Sequence, residues 1–253
     1  MHGYKLCFLI SNTSRYASPN VRFITGYIED LCAAGLENNS FDLIVSNCVI
    51  DLSPDKVACL SEAFRVLKPG GEFYFSDMYT DTADQPESVR EDAVLWGEGF
   101  AGALPWEQLH VLARQVGFSK PFLVTASEVP VLKEEFKSAL GNARFCSATY
   151  RLFKPDTSSP GPLASSPGPL ASSTLITYKG DLLGHENTFL WDHATSFPAG
   201  VEVRVGPVVA AALRESRYEP SFGFRECAGV EKEDSPFLLC GTSGKPVCCK
   251  AGT

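Results

Sequence analysis

A chain of 253 residues with 44% apolar and 21% charged residues has the composition of a soluble globular protein, with room for one large domain or for a medium domain and an appendage. Its net charge of -8 and the lack of any Lys/Arg stripe exclude a nucleic-acid partner, because phosphate binding depends on positive charge that releases counterions. No apolar run reaches the ~18 residues a membrane span needs, so the chain reads as cytoplasmic and without a membrane partner.

The start, Met1 to Ile10, is apolar but short and lacks a small-residue cleavage site, so it makes a poor signal peptide. Residues 1–19 are assigned to no element. From Asn20 the pattern alternates strand and helix. Val21 to Thr25 (VRFIT) predicts a strand, and Phe41 to Ser46 (FDLIVS) a second, apolar enough to be buried on both faces. Ser53 as cap and Pro54 at the first position open a helix to Leu67, with Val57, Leu60, Phe64 and Leu67 as its apolar stripe. LKPGG, Leu67 to Gly71, stops that helix, and Glu72 to Ser76 (EFYFS) is the next strand. Strand, helix and strand with short joins form a βαβ unit, whose strands should be parallel.

Further on, Pro105 to Val116 has helical period with a stop at Gly117, and Lys133 to Leu140 predicts a charged surface helix. Phe122 to Ser127 and Cys146 to Phe153 predict strands, and the domain closes near Lys154. A seven-residue unit, SSPGPLA, then occurs twice in succession, at Ser158 to Ala164 and Ser165 to Ala171. Pro, Gly and Ser at that density cannot bury enough surface to order a backbone, so a linker is expected. Beyond it Thr174 to Tyr178 and Val201 to Val205 predict strands and Val208 to Ser216 a helix. The expected organisation is therefore an unplaced segment 1–19, a main α/β domain 20–154, a linker 155–173, a small α+β domain 174–239 and a mobile Cys-containing tail 240–253.

The nine cysteines are odd in number and unevenly spaced, with no CxxC pair, so free thiols are expected in place of a disulfide framework or zinc site. Cys48 stands where a strand gives out into a loop. Taken alone it reads as a small buried residue. Cys32 and Cys59 fall in helix-like stretches and read as packing, Cys146 as either a ligand or a strand-packing residue, and the adjacent Cys248 and Cys249 as exposed thiols. His110 reads as structural, His185 as a loop-ordering residue, and Trp96 and Trp106 as core or pocket wall.

LKPGG between a helix and the next strand, with FDLIVSN before it, resembles the second half of a class I S-adenosylmethionine-dependent methyltransferase, a Rossmann-like fold with ligands beyond the carboxyl ends of the strands. The stretches GYIEDL (Gly26 to Leu31), SNCVI (Ser46 to Ile50), VLWGE (Val94 to Glu98), GNARFCSATYRLFK (Gly141 to Lys154) and YKGDLLGHE (Tyr178 to Glu186) sharpen this to a resemblance to the arsenite methyltransferases. That resemblance implies methyl transfer from S-adenosylmethionine to thiol-bound trivalent arsenic, with a thiol reductant such as glutathione or thioredoxin as partner. It implies that Cys48 binds arsenic, since As(III) is a soft centre that prefers thiolate sulfur. Cys146 is the further candidate ligand. A position near a helix N-terminus would lower the Cys48 pKa. Ile28 and Glu29 are implied to lie against the adenine, with Glu29 accepting from its amino group, and Asn47 near the methionine end.

Two departures from the family pattern carry expectations. The second arsenic-binding cysteine of the family falls at Ala143, and Cys146, an odd number of residues on, faces the other side of a continuous strand. No GxGxG precedes Val21, so the chain reads as the later two-thirds of such an enzyme, with the apolar edge of FDLIVSN left open. A non-catalytic relative that only binds As(III), or pairs with a full-length partner, is the second reading. A methyltransferase for another substrate is disfavoured by SNCVI and GHE.

Overall fold

The computed structural model describes residues 6–11, 21–83, 85–156 and 172–228. The repeated SSPGPLA units and the tail 240–253 lie outside the described residues.

The chain opens with β1 (Leu6–Ser11) and β2 (Val21–Gly26), an antiparallel pair that forms its own two-stranded sheet. The expected strand at Val21 is present, but it joins the previously unplaced segment and not the main sheet. The main sheet has five strands. β3 (Phe41–Asn47) leads through α1 (Lys56–Val66) into β4 (Leu67–Thr80), and β3 and β4 are parallel, with Asn47 opposite Ser76. The helices α2 (Glu87–Arg90) and α3 (Ala93–Gly97) precede β5 (Leu104–Pro105), which pairs with the end of β4. Then follow α4 (Trp106–Val116), β6 (Phe122–Val129), α5 (Glu134–Leu140) and β7 (Phe145–Phe153). The sheet order is β3-β4-β7-β6, with β7 antiparallel to both neighbours.

Four local expectations need correction. β3 is an edge strand, and Val45 is 69% exposed, so the strand is not buried on both faces. A run of apolar residues reports hydrophobicity and not how many faces have a neighbour. The cap of α1 is Asp55, whose carboxylate accepts from the Ala58 N–H at 2.9 Å, while the Ser53 hydroxyl donates instead to Glu29. Val57 is 38% exposed, and α1 buries Cys59, Leu60, Ala63 and Val66. LKPGG does end the helix, but it already belongs to β4. Gly70 donates to the Lys154 carbonyl at 2.8 Å, and Lys154 donates back to that of Gly71 at 3.0 Å. Gly70 has a φ of 75°, and a Cβ there would stand 1.9 Å from the Glu215 carbonyl oxygen, so this glycine answers a close approach of the later helix as well as a turn.

The C-terminal part comprises β8 (Ser172–Tyr178), β9 (Thr188–Leu190), β10 (Ser196–Pro198), β11 (Glu202–Val205), α6 (Pro207–Glu215), a 3-10 turn (Glu219–Ser221) and β12 (Phe222–Ala228). β8 lies between β11 and β12 in an antiparallel sheet, and β9 pairs with β10. The YKGDLLGHE stretch is pinned by its own tyrosine: the Tyr178 hydroxyl donates to the His185 carbonyl at 3.1 Å and accepts from the Leu182 N–H at 3.0 Å.

This part packs directly on the main sheet. Trp191 stacks on Phe153 with ring centroids 5.0 Å apart, and both share one core with Phe122, Tyr178 and Phe197. At the seam Arg151, 3% exposed, pairs with Glu72, 1% exposed, and its Nη1 donates to the Trp191 carbonyl at 2.9 Å. Its guanidinium lies 4.2 Å from the Trp191 ring centroid. Glu72 also accepts from Arg217 at 3.0 Å and from the Tyr218 hydroxyl at 3.1 Å. Removing one partner of a buried pair strands the other charge, at about 3–5 kcal/mol. Arg151→Met is therefore expected to destabilise the chain by about 3 kcal/mol in urea unfolding, and a loss indistinguishable from zero would mean that the cluster does not hold the two parts together.

Candidate active site

β3 ends at Asn47, and Cys48 turns the chain. Its φ of 52° lies in the left-handed region that non-glycine residues seldom occupy. The Cys48 N–H still donates to the Ser76 carbonyl at 2.8 Å, which extends the β3–β4 ladder one residue past the strand. The next three N–H groups, of Val49, Ile50 and Asp51, then converge on Asp77 Oδ1 at 2.9, 3.0 and 3.3 Å. Successive amides curled around one oxygen in this way form a nest, which concentrates positive dipole on the carboxylate. The Cys48 side chain is exposed, and its Sγ–H donates to Asn47 Oδ1 at 3.8 Å.

Other elements close on the same loop. Glu29 accepts from Ser53, so the turn after β2 reaches the loop after β3. Ile28 is buried in the main core with Ile50. Lys56 donates to the carbonyls of Asp51 and Ser53 at 3.1 and 2.7 Å, and its ammonium lies 5.1 Å from the Trp96 ring centroid. From the α3 side, a Cβ on Gly102 would stand 1.7 Å from the Asp51 carbonyl oxygen, and one on Gly99 would stand 2.9 Å from Asp51 Oδ2. The structure thus brings Ile28, Glu29, Asn47 and Cys48 to the carboxyl end of β3, where a doubly wound sheet presents its ligand crevice.

The electrostatics oppose one expectation. Burial pushes the Cys48 thiol up, and the Asp51 and Asp77 carboxylates push it further. The expected lowering by a helix N-terminus does not occur, because α1 begins only at Lys56 and the charges near the thiol are negative. Burial also drives Asp77 well above the usual carboxylate range, and the neighbouring Asp51 adds to this. Lys56 is pushed down by burial against those same carboxylates, which pull it up.

Cys146 sits elsewhere. It is 0% exposed in the main core, in register opposite Tyr79. Ala143 precedes β7 and lines a cavity of about 330 Å³ with Asp81, Thr82, Gln85, Leu140 and Asn142. The strand begins only at Phe145, so alternation along a strand does not relate positions 143 and 146. Cys32 is exposed, in a turn, and not packed in a helix as expected; Cys59 is buried as expected. Among the described residues no group of three or more His, Cys, Asp or Glu side chains is arranged to hold a metal ion. Sequence reasoning passed over Asp51, Asp77 and Lys56. For the two acids the available signal was their position just past, or near, the carboxyl ends of two adjacent parallel strands; Lys56, the first residue of α1, carried no such signal.

A methyltransferase-domain model matches residues 9–119, and a model of the arsenite methyltransferase C-terminal domain matches residues 171–249. The structure aligns with a solved arsenic(III) S-adenosylmethionine methyltransferase from Chlamydomonas reinhardtii at a TM-score of 0.75 and 42% identity, over 85% of this chain and 69% of that one. The chain belongs to the arsenite methyltransferase family. The arsenite methyltransferase of Homo sapiens is 42% identical over 237 residues, 88% of this chain and 60% of that protein. That of Aquipseudomonas alcaligenes is 43% identical over 216 residues, 84% and 59% respectively. The chain therefore spans about 60% of the length of these relatives. Its main domain has the α/β, Rossmann-like fold of class I S-adenosylmethionine-dependent methyltransferases.

A thiol pushed up by burial, and further by the Asp51 and Asp77 carboxylates, holds less thiolate at neutral pH than a free cysteine, whose pKa is about 8.5. In this arsenite methyltransferase-family chain, iodoacetamide labelling of the Cys48 peptide at pH 7.5, followed by mass spectrometry, is expected to be slower than that of an unstructured cysteine peptide. The rate should climb as pH rises through the elevated pKa. Faster labelling than the reference would mean that Asp51 and Asp77 do not govern the thiol.

Proposed function

We propose that the chain acts as an arsenite methyltransferase, with Cys48 binding trivalent arsenic. The observation that carries the reading is an exposed thiol held in a left-handed turn at the carboxyl end of a parallel strand, beside the segment 28–29. Family membership and the matched C-terminal domain support the substrate class.

The residues present suit S-adenosylmethionine in kind: Ile28 would offer an apolar wall and Glu29 a carboxylate to the adenine, and Asn47 would face the methionine end. When bound, the cofactor supplies an electrophilic methyl group on a sulfonium. Cys48 would hold As(III) by sulfur and leave the arsenic lone pair directed at that methyl. The nucleophile carries no proton to remove, so the chain needs no general base for the transfer, and its task is positioning. Arsenite would arrive as a thiol complex, and a thiol such as glutathione or thioredoxin would serve as reductant. Cys146, in the core, is the weaker candidate for a second sulfur. No helix of the described residues is long and apolar enough to cross a membrane.

Calorimetric titration of the chain with S-adenosylmethionine, followed by an arsenite methylation assay with added thiol, tests this. Saturable cofactor binding and methylated arsenic product are expected, with product lost in Cys48→Ser. A folded chain that binds no cofactor but still binds arsenite through Cys48 would replace the reading by that of a non-catalytic As(III)-binding relative.

A further inference from the structure

The loop that carries Cys48 is organised from the neighbouring strand β4 by Asp77. We propose that Asp77 is the positioning residue for Cys48: its Oδ1, by gathering the N–H groups of Val49, Ile50 and Asp51, holds Cys48 in the left-handed turn that presents its thiol at the rim of the crevice. This rests on the proposed binding of arsenic by Cys48.

Three observations support it independently. A left-handed non-glycine residue persists only where its surroundings over-determine it, and the contacts of this loop come from β4, α1, the α3 side and, at Ser53, the turn after β2. The contact from β4 is the Asp77 nest, which satisfies all three backbone donors that follow Cys48. A loop amide left unsatisfied in the interior would otherwise cost about 1–3 kcal/mol. Second, the backbone around Asp77 is anchored on both sides of β4. Its own strand pairs with β7 through Ala148, and the preceding carbonyl, that of Ser76, accepts from the Cys48 N–H. A shift of Asp77 therefore moves both hydrogen-bonded sides of Cys48. Third, the remaining space around the loop is closed: Gly99 and Gly102 approach Asp51 so nearly that no Cβ fits without displacing it. The Asp51 end of the loop is thus hemmed in from the α3 side, which leaves the Asp77 nest to fix the Cys48 end.

The other carboxyl oxygen, Asp77 Oδ2, and Asp51 Oδ1 are buried without a hydrogen-bond partner among the described residues. The two acids are buried together, so a neutral side chain of the same shape at position 77 relieves repulsion and still offers the acceptor. That separates geometry from charge. Asp77→Asn keeps an oxygen for the three donors; Asp77→Ala removes it.

The experiment is titration of the full chain with arsenite, for wild type, Asp77→Asn, Asp77→Ala and Cys48→Ser, with thermal unfolding of each. The Cys48-dependent part of binding is that lost in Cys48→Ser. Misplacement of a reacting group by about 1 Å can cost as much as 10²-fold, so Asp77→Ala, where folded, is expected to weaken the Cys48-dependent part about tenfold or more. Asp77→Asn is expected to stay within about threefold of wild type, since its acceptor survives. A purely structural role would lower the unfolding midpoint of Asp77→Ala and leave the arsenite affinity of the folded protein unchanged, which overturns the proposal. If Asp77→Ala does not fold, Asp77→Val, which fills the space without offering an acceptor, takes its place with the same two outcomes, and a loss of about tenfold in the folded Asp77→Asn variant overturns the acceptor role in favour of charge. Arsenite binding by Cys48→Ser equal to wild type removes the ligand reading, and the positioning role with it.

Discussion

The buried pair of Glu72 and Arg151 is the constraint on which the arrangement depends. Glu72 lies on β4 opposite Phe153, and Arg151 reaches it from the neighbouring β7, two residues off in register, and neither charge can leave its partner without being stranded in the interior. The same guanidinium holds the Trp191 carbonyl and lies against the rings of Phe153, Phe189, Trp191 and Tyr218. One side chain therefore fastens the main sheet to the C-terminal part. Alignment of β4 with β7 continues from Glu72 along the strand to Asp77 and Thr80, and so the seam and the Cys48 loop share one rigid element.

The site sets two demands against each other. A soft ligand for arsenic works best as thiolate, yet the carboxylates that shape the loop disfavour the negative sulfur. Under the proposed function the conflict is resolved on binding, because a thiol bound to As(III) gives up its proton and shares its charge with the arsenic. Until then the neutral thiol is the stable form. Exposure to oxidants is correspondingly less damaging, since the thiolate is the reactive species. Lys56 contributes on the other side: it is half-buried, it ties the carbonyls of Asp51 and Ser53, and its charge offsets part of the negative field.

Much of the fold was legible. The βαβ unit, the helix stopped by Gly117, and the strands at Phe122 and Cys146 follow from period and punctuation alone, because those signals are local. The exposed flank of β3 was not legible: the apolar run suggested burial of both faces, and the 69% exposure of Val45 shows that one face lacks a covering layer there. The cap of α1 could not be settled from the sequence. Ser53 and Asp55 are both good cap residues, and the choice turned on Glu29, distant in sequence, claiming the serine.

The sequence by itself determined the alternating strand and helix order, the thiol at the end of β3, and the motifs that place the chain in its family, since each is written in neighbouring residues. Only the tertiary structure decided that Cys48 is exposed in a left-handed turn, that Cys146 is enclosed, and that Asp77 serves the loop of another strand. The reason is that hydrogen bonds such as those from Val49, Ile50 and Asp51 to Asp77 span 26 to 28 residues, and no local pattern records which distant acceptor a backbone donor will meet.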